Sequence, residues 1–80
     1  MNPALKSVTT KAIVSALGAD GFVWTRSKGS HRVYRHADGR RVVVAFHRPG
    51  ATFPPKTLAA MIAAAGWQEE DLRRLGLLRS

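Results

Sequence analysis

Cysteine is absent from the chain, which excludes a disulfide scaffold, a thiolate zinc site and a cysteine nucleophile. Acidic residues are scarce: 5 Asp+Glu stand against 13 Lys+Arg, for a formal charge of +8. A long apolar run is missing too. Residues 58–67 form the longest nearly unbroken one, about half of the ~20 residues that a membrane span needs. No basic-then-apolar leader with a processing site opens the sequence, so a cytoplasmic protein without a membrane partner is expected. The 80 residues suffice for a single domain, taken as 1–80, yet a chain of this size buries only ~60% of its unfolded surface. A deep cavity for a large organic cofactor is therefore not expected, and no cofactor is assigned. What the chain does have is apolar material: 45% of its residues are hydrophobic, too many for a disordered basic tail.

So large a positive excess calls for an anionic partner, nucleic acid before a membrane surface. Seven of the 13 basic residues fall in the middle third: Arg26, Lys28, Arg32, Arg35, Arg40, Arg41 and Arg48. All three histidines (His31, His36 and His47) are there as well, and the only acid among them is Asp38. Glu69, Glu70 and Asp71 sit together further on. The positive field is thus local. The plainer reading of such a run is a solvated face that serves solubility alone.

Hydrophobic spacing sets the coarse structure. Leu5, Val8, Ala12, Ile13, Ala16 and Leu17 recur at three and four residues, the period of an amphipathic helix over 5–19. Thr9 or Thr10 is an equally good N-cap, in which case the helix starts there and residues 1–8 form a loose arm. From Phe22 the pattern turns to strand, over 22–26, 31–36 and 41–47. Ala37-Asp38-Gly39 joins the last two, and Asp-Gly between apolar strands is a strong hairpin signal. Pro54-Pro55 suit a helix entry, and Leu58, Met61, Ile62 and Ala65 stripe a second helix that Gly66 closes. Glu69-Glu70-Asp71 before Arg73-Arg74 is the charge order a short terminal helix favours. Alanines 59, 60 and 63–65 are good helix formers that permit close packing. Trp67 reads as a core residue, with base stacking as its other use.

The fold class is α+β: α-β-β-β-α, a three-stranded antiparallel sheet covered by helices on one face, plus the short C-terminal helix. Hairpin register decides what the open face carries. A two-residue turn pairs His36 with Arg41, whereas a three-residue loop with Gly39 left-handed pairs His36 with Arg40. The second is preferred, because it sends Tyr34, Val42, Val44 and Phe46 to the covered face with Phe22 and Trp24. His31, Val33, Arg35, Arg41, Val43, Ala45 and His47 then share the open face. His36, five residues after His31, projects to the other side, which argues against a three-histidine metal site. No metal is assigned.

Lys28-Gly29-Ser30-His31 stands where a turn feeds the second strand. Gly29 lets the backbone approach a phosphate, Lys28 and Ser30 supply donors, and an imidazole titrates near neutrality. This set suits phosphodiester chemistry, though one histidine on a strand is more often an ordinary surface residue. Residues 22–31, then Tyr34-Arg35-His36, Asp38-Gly39-Arg40, the run 42–47 and Thr57-Leu58 resemble the HicA family of bacterial toxins. The resemblance runs from about residue 10 to residue 72, in order and with the family's spacings. It implies a double-stranded-RNA-binding-domain-like fold, and a toxin that cleaves messenger RNA independently of the ribosome. It implies that His31 is catalytic, and that a HicB-type antitoxin binds and silences the protein. Ala45 departs from the proline that the family often has before the strand-end histidine, a change that touches edge geometry.

On this reading His31 acts as general base on the ribose 2′-hydroxyl or as general acid on the leaving oxygen. His47 is the candidate second proton carrier. Lys28, Gly29, Ser30, Arg35, Arg41 and Arg26 are the expected RNA contacts. Three rival readings stand beside it. One is a non-catalytic double-stranded-RNA-binding module. Another is a protein-interaction module whose basic face holds an acidic antitoxin. The third is a DNA-binding regulator, and it is disfavoured because the helix near 58–65 lacks a polar, basic recognition face. No DNA partner is therefore expected for the protein by itself.

Overall fold

A computed structural model describes residues 8–78. The element order is α1 (Thr10–Ala19), β1 (Val23–Lys28), β2 (His31–Arg35), β3 (Arg41–Ala45), α2 (Pro55–Ala65) and α3 (Glu69–Arg74). The strands form one antiparallel sheet in the order β1-β2-β3. The expected α+β class and α-β-β-β-α arrangement are what the structure has.

Thr9 decides where α1 starts. Its side-chain oxygen accepts the Ala12 N–H at 3.1 Å, the cap that the first turn needs. Two more first-turn donors find loop carbonyls: Thr10 N–H reaches Ala51 O (2.8 Å) and Lys11 N–H reaches Pro49 O (3.0 Å). The segment after β3 is thereby tied to α1. Of the arm expected over residues 1–8, Val8 is buried in the core, and 1–7 lie outside the described residues.

Ile13, Ala16 and Leu17 of α1 and Leu58, Met61 and Ala65 of α2 meet Tyr34, Val42 and Val44 in one core. The β2–β3 hairpin has the preferred three-residue loop. His36 N–H donates to Arg40 O (2.9 Å), and Gly39, at φ +101°, takes the conformation that a side chain would resist. Arg35 therefore lies opposite Arg41 and Tyr34 opposite Val42. This register puts valines 42 and 44 under the helices and leaves Val43 on the bare face.

Trp24 corrects an expectation. Pairing with Tyr34 would put it on the covered surface, yet it is 51% exposed. The ladder shifts between Trp24 and Arg26, and Thr25 Oγ1 bonds Val33 O at 3.1 Å. On this edge strand the indole meets the Arg32 guanidinium, 4.0 Å from its centroid, where helix cover would otherwise be. Trp67 is the core tryptophan, at 5% exposure, and its indole N–H donates to Asp20 Oδ2 at 2.9 Å. Packing, not stacking on bases, is its role.

Asp20, just past α1, is a polar knot. Oδ2 also accepts from Arg40 Nη1 (3.0 Å), and Oδ1 accepts from Arg74 Nη2 (3.2 Å). Its backbone oxygen accepts His36 Nε2–H at 2.9 Å, which fixes the proton on that nitrogen because a carbonyl can only accept. Arg40 completes the knot by bonding Asp38 and the Ala65 carbonyl. α1, the β2–β3 hairpin, α2 and α3 are joined there.

Candidate active site and nucleic-acid interface

At the other end of β2 lies the β1–β2 hairpin. Gly29 and Ser30 alone connect Lys28 to His31, which are direct cross-strand partners. Gly29 has φ +59° in the first central position, where a tight strand-reversing turn favours glycine. Nothing stands within 4 Å of where a Cβ would project from it, so this backbone is open to an approaching phosphate. His31, exposed, begins β2 with Lys28 on one side and Ala45 on the other. Directly opposed residues have Cβ atoms about 4.5–5.5 Å apart, so the Lys28 stem flanks the imidazole. The short Ala45 side chain leaves room on the far side.

Strand alternation and register gather the remaining cations. Arg26 pairs with Val33 and Lys28 with His31, while Arg35 faces Arg41 across β2 and β3. Arg26, Lys28, Arg35 and Arg41 therefore share the helix-free face with His31. Val33, in the middle of that face, is only 6% exposed between its neighbours, so the charges surround a dry centre. Two arginines directly opposite each other repel, a cost that a bound anion would relieve. Among the described residues the ion pairs with acids use Arg40, Arg73 and Arg74 and none of these four cations. Asp20 and Asp38, meanwhile, lie at the far end of β2.

The other three of the seven central bases are not on this face, and of these Arg48 lies in the loop after β3. Arg40 belongs to the Asp20 knot, and Arg32 lies between the Trp24 and Phe46 rings. Parity is the signal in the sequence that finds Arg32: two residues from the inward Tyr34, it must share its side. His36 also projects inward, edge-on to Phe22 with ring centroids 5.2 Å apart. His47 differs from the expectation in its surroundings. β3 ends at Ala45, so the alternation that would set His47 beside His31 stops two residues short. Among the described residues no cluster of three His, Cys, Asp or Glu side chains is arranged to hold a metal. No helix among them is long and apolar enough to cross a membrane.

A family model described as the HicA toxin of bacterial toxin–antitoxin systems matches residues 10–67, well over half of the chain. The protein belongs to the HicA toxin family. No curated protein matches the chain closely enough to add to this. As a HicA toxin it is one half of a toxin–antitoxin system, and its family implies an antitoxin partner. The matched segment begins at the first residue of α1 and ends at the core tryptophan, Trp67. It contains the whole sheet, the Lys28–His31 turn and every cation of the open face. α3 lies beyond it and is held through Arg74 to Asp20.

Proposed function

We propose that this HicA toxin is a cytoplasmic, ribosome-independent messenger-RNA endoribonuclease that works without a metal ion and is silenced by a HicB-type antitoxin. The observation that carries the reading is the exposed imidazole of His31 beside Lys28, on a helix-free face with Arg26, Arg35 and Arg41. RNA holds its own nucleophile, the 2′-hydroxyl, so the protein needs to move a proton and steady charge. His31 takes the hydroxyl proton as the oxygen attacks the adjacent phosphorus, or gives a proton to the leaving 5′-oxygen. Lys28 offsets the charge that builds on the phosphorane oxygens. Backbone N–H groups at Gly29 and Ser30 are available to the same oxygens. Arg26, Arg35 and Arg41 hold flanking phosphates, which fixes position without reading sequence. His47, two residues beyond the Ala45 that pairs with His31, is the candidate for the second proton transfer.

Purified protein is expected to cut RNA in EDTA, and Arg35→Ala with Arg41→Ala to weaken RNA binding alike for unrelated sequences. On a single strand, the slope of log affinity against log salt falls by about 0.7 for each phosphate that the protein no longer neutralises. Loss of all cleavage in EDTA contradicts metal independence. An unchanged salt slope in the double variant removes the open face from RNA binding. RNA binding without any cleavage by the parent would favour the non-catalytic module.

A further inference from the structure

On the side of the sheet away from His31, Arg32 is held between two rings. Its guanidinium carbon lies 4.0 Å from the Trp24 centroid and 3.7 Å from that of Phe46. Trp24 is itself held, since its indole N–H donates to Ser27 Oγ at 3.0 Å. The ring is therefore oriented while half of it remains in water. Alongside runs an open groove of about 440 Å³ between α1 and the sheet, lined by Lys11, Val14, Ser15, Arg32, Phe46 and Pro49.

We infer that the exposed indole face of Trp24 is a stacking platform for a base of single-stranded RNA, one that flanks the nucleotide cleaved at His31. The inference rests on the ribonuclease reading and adds a substrate class and a subsite to it. An oriented indole backed by a cation accepts any base, because every base presents a π-face. Charge favours a polyanion here: Lys11 and Arg32 border the groove, whereas Asp20, Asp38 and Asp71 are engaged with arginines at the opposite end of β2. Geometry links the subsite to the site of chemistry. His31 and Arg32 are consecutive on β2 and project to opposite faces. An RNA that presents its phosphate to His31 must pass round the hairpin end or the β1 edge to reach Trp24. A flexible single strand can follow that path and offer an unstacked base, whereas in an A-form duplex the bases are already stacked on one another.

The His31→Ala protein keeps the RNA intact and serves as the background for the test. A labelled single strand of about ten nucleotides is titrated and its anisotropy followed. Adding Trp24→Ala is expected to weaken binding about tenfold to a hundredfold, and Trp24→Phe to keep most of the affinity. A duplex of the same length should bind the Trp24→Ala and Trp24-containing proteins equally. Because Trp67 is buried and Trp24 exposed, RNA should also quench tryptophan emission in the protein that retains both, a readout that needs no change to Trp24. Equal single-strand affinity with and without the indole overturns the subsite and leaves the ribonuclease reading intact. Failure of the His31→Ala protein to bind any RNA overturns both. Unchanged RNA affinity together with lost co-purification of the antitoxin overturns the subsite in favour of a protein contact.

Discussion

His31→Ala is expected to slow RNA cleavage by about 10²–10⁴-fold, the usual contribution of a positioned proton carrier. Affinity for RNA and the melting temperature should stay close to those of the parent. The separation follows from placement. His31 is exposed, begins its strand and has no packing role in the core, so its removal leaves no cavity. The cations proposed to bind phosphate are on other residues of the same face. A single-turnover assay on labelled RNA, read beside a binding titration and a melting curve, separates the three quantities. Undiminished cleavage would remove His31 from the mechanism. A loss of cleavage matched by an equal loss of binding would make it a contact and not a proton carrier. In cells, induction of the parent should arrest growth and the same substitution should relieve that arrest.

The largest effect on stability is expected at Asp20. Its side chain is 13% exposed and accepts from Arg40, Trp67 and Arg74, so Asp20→Ala leaves a part-buried guanidinium and an indole N–H without their acceptor. Hydrogen bonds to charged groups contribute about 1.5–3 kcal/mol each, but Arg40 keeps Asp38 and some access to water. A net loss of about 2–3 kcal/mol is expected, measured by urea unfolding at neutral pH. For a domain this small that is a large share of the total.

Asp20 also gives the effect a pH signature. Burial disfavours its charged form, yet the bonds from Trp67, Arg74 and Arg40 outweigh burial and hold its carboxyl below the ordinary 3.8. A carboxyl depressed by folding stabilises the protein above its unfolded value and ceases to do so as pH falls through its folded value. The difference in stability between parent and Asp20→Ala should therefore be full at neutral pH and shrink as pH drops below about 3.8. A gap that stays constant across this range would mean that the charge on Asp20 does not stabilise the knot. Asp71 moves in the same direction, held low by the Gln68 N–H and by Arg74, so its contribution at the start of α3 is likewise lost in acid.

The fold was legible in the sequence where local chemistry and long-range packing agree. Ala37-Asp38-Gly39 signalled the hairpin, the need to cover Tyr34, Val42 and Val44 favoured one of its two registers, and that register assigned His31, Arg35 and Arg41 to one face. Pro55 and Gly66 bracketed α2 for reasons internal to the backbone. Trp24 and Trp67 were harder, because composition treats them alike and only tertiary placement tells them apart. Trp24 keeps the side of Tyr34 but lies on the edge strand, half in water against Arg32, while the turn at Gly66 delivered Trp67 to Asp20. Arg40 likewise reads as one more central cation until the knot that neutralises it is seen. The motif round His31 was visible as residues, but its pairing with Lys28 and Ala45 needed the strands.

In the proposed reaction the ribose beside the broken bond supplies the nucleophile and His31 moves its proton. An oligonucleotide with a single 2′-deoxy sugar at the position cut in its all-ribose counterpart puts both to the test. The parent protein should bind it as well as the counterpart and should not cut it at that position. Cleavage there at the all-ribose rate would show that the sugar hydroxyl is not the nucleophile.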